Sequence, residues 1–123
     1  MKENELRIGN YVFSADDNKN GEVFQIDPSG IIFVNKNGNR WQDLKNIQPI
    51  PLTEEILFKC GFKKDHDKLW IDNGVFEIEY LNGQIGLTCG LHAEESMPLD
   101  IKYLHQLQNL YFALTDIELE MNL

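Results

Sequence analysis

The stretch from Ile101 to Thr115, IKYLHQLQNLYFALT, constrains the fold more than any other part of the chain. At about 100° per residue, Ile101, Tyr103, Leu104, Leu107, Leu110, Tyr111, Phe112 and Leu114 fall within an arc of about 200°, with Lys102, His105, Gln106 and Asn109 opposite. A helix that apolar needs a broad surface to lie on, so the chain must also supply a sheet. Gln108 is the polar residue inside the arc. If buried, its amide needs partners, and a bond to a strand-edge backbone group or a polar loop would fix the register of the helix on its sheet. That structural role is preferred to ligand recognition. His105 lies at the edge of the polar arc and is expected as a border residue bonded to a loop, not as a proton-transfer group.

Hairpins supply the sheet. Asn20-Gly21, Asn37-Gly38, Asn73-Gly74 and Asn82-Gly83 are the dipeptides preferred in type I′ turns, which need positive φ at both central positions. Strands are expected over 6–14, 22–26 and 31–35, from Arg40-Trp41 onward, and over 47–50, with 16–20 as a polar loop and Asp27-Pro28-Ser29-Gly30 as a turn. These short strands suggest a small antiparallel β-barrel-like lobe of Src-homology or KOW type. Pro49 and Pro51 stiffen the connection that follows. Thr53 is placed to cap a helix of about two turns, with Glu54 and Glu55 in its first turn and Gly61 at its end. Residues 62–64 make a possible short strand. Then 69–72, 75–81 and 85–89 read as a three-stranded antiparallel meander. Phe76, Ile78 and Tyr80 alternate with Glu77 and Glu79, so the first three, with Ile85, Leu87 and Cys89, form the face on which the long helix is expected to pack. Residues 91–98 read as loop, with Pro98 or Asp100 marking the start of the helix, and Thr115-Asp116-Ile117-Glu118 has capping-box spacing for a final short turn. The expected class is α+β, as one domain over residues 1–123 or as two lobes over 1–50 and 51–123.

Charge is the most informative compositional property. Of the net −9, about −1 falls on residues 1–68 and about −8 on residues 69–123, where Lys102 is the sole Lys or Arg. Such a balance argues against sequence-independent binding of nucleic acid, which depends on cations that neutralise phosphates, and against an anionic membrane surface. The N-terminus MKENELRIGNYV has no apolar run of signal-peptide length, and no segment approaches the roughly 20 apolar residues of a span. A cytoplasmic location is expected. Cys60 and Cys89 are read as reduced, buried, small apolar residues.

Chemistry-bearing residues are few. His66, His92 and His105, with Asp65, Asp67 and the cysteines, are the candidate metal ligands, and none of their spacings resembles a zinc site. Cys60, flanked by Lys59, Lys63 and Lys64, comes nearest to an activated nucleophile, although a helix C-terminus disfavours a thiolate. There is no GxGxxG, P-loop or GxSxG, so no catalytic, cofactor-binding or metal site and no cofactor is assigned. Trp41 and Trp70 are read as core residues in preference to interface anchors.

The entry ELRIGNYV at 5–12, the junction PIPLTEEILFKCGF at 49–62 and the ending YLHQLQNLYFALT at 103–115 followed by IELE at 117–120 resemble a group of small uncharacterised proteins. The group is found in Bacteroidales gut bacteria, their phages and integrated mobile elements. That group often has Gly after the final Thr, where this chain has Asp116. The resemblance implies a phage or mobile-element setting and no particular activity. The expected function is therefore that of a non-enzymatic accessory protein acting through protein–protein interaction. One alternative is an acidic decoy or inhibitor that presents Asp72, Glu77, Glu79, Glu94 and Glu95 to a basic, nucleic-acid-handling host protein; another is an enzyme centred on a cysteine or histidine. A protein partner is expected, and the state is monomer or homodimer.

Overall fold

Short apolar runs before residue 50 form five antiparallel strands: β1 (Tyr11–Ser14), β2 (Lys19–Ile26), β3 (Ile31–Asn35), β4 (Asn39–Asp43) and, after a 3₁₀ turn at Leu44–Asn46, β5 (Ile47–Gln48). They lie in the order β4-β3-β2-β1-β5. The computed structural model describes residues 6–15, 18–26, 31–35, 39–73, 75–89 and 96–122. Asn37-Gly38, the Asp27 to Gly30 turn, His92, Glu94 and Glu95 fall at least in part outside them. By contact density the chain forms two units: Met1–Pro51 with Tyr103–Leu110, and Leu52–Lys102 with Tyr111–Leu123.

In the first unit Val12, Val23, Ile47 and Leu6 form a buried cluster against which Ile26 packs. The sheet is open. Among the described residues β4 and β5 do not pair, so the expected barrel does not close. The two residues of β5 are used on Phe13 and Ser14. Asn20-Gly21 is not a turn either: it lies within β2, with Asn20 opposite Phe13 and Gly21 opposite Val12. The left-handed position before β2 is taken instead by Asn18, with φ 52°. The first strand starts at Tyr11 and not at residue 6, because residues 7–10 form a turn: Asn10 N donates to Arg7 O at 3.0 Å, and Arg7 N donates to Asn10 Oδ1 at 2.6 Å.

In the second unit Thr53 caps α1 (Glu54–Lys59), its Oγ1 accepting from Ile56 N at 3.2 Å. Gly61 ends the helix with φ 90°. Phe62 N donates to Leu57 O at 3.0 Å and Gly61 N to Phe58 O at 3.1 Å, the paired bonds of a Schellman motif. Then come β6 (Lys63–Asp65), β7 (Lys68–Asp72), β8 (Phe76–Leu81), β9 (Gln84–Cys89) and β10 (Met97–Leu99), in the order β10-β9-β8-β7-β6. The expected three-stranded meander is thus the centre of a five-stranded sheet. Its β10 comes from a stretch read as loop, since three residues containing Pro98 give no periodic signal. Asn82 and Gly83, with φ 53° and 77°, make the expected two-residue turn between β8 and β9.

The long helix, α2, runs over Leu104–Thr115 and is shorter than the expected 101–115. Residues 101–103 are held extended: Tyr103 bridges to Pro51, and Leu104 N donates to Ile50 O at 2.8 Å. Gln106 Oε1 accepts from Tyr103 N at 3.1 Å, which is the backward half of a capping box. At the other end Thr115 starts no new turn. Its hydroxyl donates to Tyr111 O at 2.8 Å and accepts from Ile117 N at 3.1 Å, so the expected capping box over 115–118 is not formed. Residues Tyr103–Leu110 group with the first unit and Tyr111 onward with the second. Packing wholly on the meander is therefore corrected to a helix divided between the two units.

Candidate functional site

Gln108 is buried, and its amide does what its place in the arc required. Tyr11 N donates to Gln108 Oε1 at 2.8 Å, and Gln108 Nε2 donates to Gly9 O at 2.9 Å. Tyr11 lies on β1 beyond the reach of β5, whose pairing covers Phe13 and Ser14, so its N–H is free to take a side-chain acceptor. Next to Gln108, Asn109 Oδ1 accepts from the buried Asn10 Nδ2 at 2.8 Å and from Arg7 Nε at 3.1 Å. This network belongs to the architecture of the first unit. His105 is not a border residue. It is fully buried, with its ring stacked on Tyr103 at 6.1 Å between centroids, because the buried stripe is centred between Leu104 and Gln108, closer to His105 than the apolar arc suggests.

The second unit carries most of the residues singled out from the sequence. Cys60 is 3% exposed, and burial pushes its thiol up from 9.0 to about 12. The lysines that would activate it are engaged elsewhere: Lys59 with Glu55 at 3.4 Å, Lys64 with Glu54 at 3.7 Å, and Lys63 over the Trp70 ring at 5.3 Å. Cys60 is a core thiol, and the geometry gives it no means of ionising near neutrality. His66 is exposed at the tip between β6 and β7, 3.6 Å from Asp65. Among the described residues no group of three His, Cys, Asp or Glu side chains converges as a metal site would require.

Strand alternation places Glu77 and Glu79 on one face of the second sheet, and the pairing puts Asp72 opposite Glu77 and Trp70 opposite Glu79. Trp70 is therefore half-buried on the polar face under Lys63, while its neighbour Leu69 is in the core. That corrects its reading as a core residue: Trp70 and Leu69 are adjacent in one strand and point to opposite faces. Lys68 Nζ sits 3.7 Å from both Glu77 and Glu79. Two of the three described residues of the expected acidic surface are thus tied to a cation. A Cβ at Gly86 would collide with Ser96 Oγ and crowd the Glu79 carboxylate, so this part of the face is closely packed. Asp72 is exposed, and so are Asp116, Glu118 and Glu120.

Among the described residues of the second unit, two depressions are formed. One is open and polar, about 340 Å³, and lies among Glu54, Lys64, Asp67, Tyr80 and Asn82; the Glu54–Lys64 ion pair lies within it. The other is a shallow apolar dimple of about 10 Å³, lined by Ile71, Phe76, Ile78, Tyr111 and Leu114. Sequence reading did not anticipate this second feature. Comparison with protein-family models, with curated proteins and with solved structures returned no match. No helix among the described residues is long and apolar enough to cross a membrane.

Proposed function

We propose that the protein is a non-enzymatic accessory protein that acts by binding another protein, in the phage or mobile-element setting implied by its sequence resemblance and in the cytoplasm. One observation carries the reading. Among the described carboxylates of the second half, Glu77 and Glu79 are tied to Lys68 and Asp100 to Lys102, while Asp72, Asp116 and Glu120 are exposed. An exposed acidic surface steers and orients a basic partner more than it stabilises its own fold. The order β4-β3-β2-β1-β5 with a 3₁₀ turn before the last strand supports reading the first unit as an open relative of the Src-homology type.

The reading is tested with the purified protein and a purified basic nucleic-acid-binding protein, by calorimetric titration at low and high salt. Association that weakens steeply with salt, and fails for the Asp72→Lys/Asp116→Lys variant, is expected. Salt-independent or absent association counts against it. The same charge sorting favours a second, more specific reading, in which the protein is a decoy or inhibitor of such a partner. That version requires release of the partner from nucleic acid on addition of the wild-type protein.

A further inference from the structure

We infer that Asn82 is a self-modifying residue: its side-chain amide closes onto the backbone nitrogen of Gly83 and is converted to isoaspartate and aspartate. The inference is independent of the proposed binding role. A glycine after asparagine leaves the attacking nitrogen unhindered, so all four Asn-Gly dipeptides share the chemistry and the fold decides between them. Asn20-Gly21 and Asn82-Gly83 are the two with both residues described. In β2, Gly21 is buried opposite Val12. Val23 N donates to Asn10 O at 2.8 Å, and the two-residue alternation of an antiparallel ladder then directs Gly21 N at Val12 O. That nitrogen is locked in the sheet. Asn82 and Gly83 instead form the exposed two-residue turn between β8 and β9, closed by the pairing of Leu81 with Gln84. Among the described residues neither the Asn82 side-chain amide nor Gly83 N has a hydrogen-bond partner, so no hydrogen bond has to break before the two meet.

The atoms balance with water as the sole co-reactant. Gly83 N loses its proton to hydroxide or a buffer base and attacks Asn82 Cγ; the new N–Cγ bond forms as the Cγ–Nδ2 bond breaks, and ammonia leaves. Water then opens the cyclic imide. Cleavage at the N–Cγ bond leaves aspartate. Cleavage between Gly83 N and the Asn82 main-chain carbonyl leaves isoaspartate, with the chain now running through the former side chain. Solvent reaches the ring, because Asn82 and Gly83 line the open polar depression of about 340 Å³ with Glu54, Lys64 and Asp67. Both products add a carboxylate to that depression. Isoaspartate also lengthens the main chain by one carbon, in a turn whose φ angles of 53° and 77° are fitted to the twist of β8 and β9. That hairpin is therefore weakened by isoaspartate and not by aspartate, since Asp tolerates the left-handed conformation as Asn does.

The test is to incubate the purified full chain, folded and in urea, at neutral and mildly alkaline pH, and to follow both dipeptides by peptide mass mapping that separates aspartate from isoaspartate. In the folded chain Asn82 is expected to convert about tenfold or more faster than Asn20, because Gly21 N is released only by local opening of the sheet. In urea the two rates should converge, and both should rise with pH as the attacking nitrogen gives up its proton. Equal rates in the folded chain, a faster Asn20, or an Asn82 that converts only in urea or not at all overturns the inference. So does a difference that persists in urea, which local sequence and not the fold would then cause, and so does aspartate at position 82 without isoaspartate, the mark of direct hydrolysis. The consequence is read from thermal melts: the isoaspartate form, separated by chromatography, should melt below both wild type and Asn82→Asp. An isoaspartate form that melts with Asn82→Asp would show that the turn absorbs the extra carbon, and overturns the weakening of the hairpin.

Discussion

Gln108 shows how far one residue can be read from sequence. Its position inside an apolar arc announced a buried amide with backbone partners, and the bonds to Tyr11 N and Gly9 O are those partners. Which strand would supply them was not legible, because periodicity gives a helix its face and says nothing of the element that meets it. Gln108→Met keeps the volume and removes both bonds, leaving a buried N–H and C=O unpaired, and is expected to cost about 2–4 kcal/mol. Urea denaturation checks this, and a loss below about 1 kcal/mol would mean that water replaces the amide. Cys60 gives a pH prediction. Its folded value of about 12 lies above its ordinary 9.0, so the folded state holds the proton that the unfolded state releases. The stability it contributes is complete below pH 9 and is lost as pH rises from 9 toward 12. Cys60→Ala should show a shallower alkaline decline in stability than wild type. Superimposable alkaline limbs would assign the decline to other groups.

At the level of elements, ends proved harder to read than interiors. The cap residues of α1, Thr53 and Gly61, were legible because each has a local mechanism. The start of α2 was not, since an extended bridge from Tyr103 to Pro51 is a long-range event that overrides an unbroken helical period. Asn20-Gly21 failed as a turn for a related reason: pairing with Phe13 and Val12 absorbed it into β2. The two helix ends make a contrasting pair. Gly61 has φ 90°, and a Cβ there would meet nothing within 4 Å, so Gly61→Ala should cost about 1 kcal/mol through backbone strain alone. Asp116 occupies the corresponding left-handed position after α2 with φ 58° and donates its N–H to Phe112 O at 2.8 Å. The turn therefore persists without glycine. Asp116→Gly should relieve strain and raise stability by about 0.5 kcal/mol, the gain being reduced by the freedom that Gly adds to the unfolded chain. Thermal melts of the two variants should move in opposite directions.

For the whole molecule, the uneven charge was legible as a count but not as a surface. Sequence separates Lys68 from Glu77 and Glu79 by the boundary at which the acidic half begins. The pairing of Leu69 with Tyr80 folds Lys68 back between them. That one register turns part of the expected acidic face into a mixed strip and leaves the exposed carboxylates elsewhere on the second unit. Lys68→Met would leave Glu77 and Glu79 together on one face without their cation. Because all three side chains are partly open to water, the expected cost is about 1 kcal/mol at low salt, falling as ionic strength screens the repulsion. Lys102→Met is the control: its Asp100 partner is 3.6 Å away, but both side chains are largely exposed, so its melting temperature should match wild type. The two explanations of a Lys68→Met loss separate cleanly. Repulsion between carboxylates fades at high salt, whereas lost packing of the lysine stem against the sheet does not. A loss that is the same at low and high salt would therefore show that Lys68 serves the fold as an apolar cover and not as the counter-charge that divides the acidic surface.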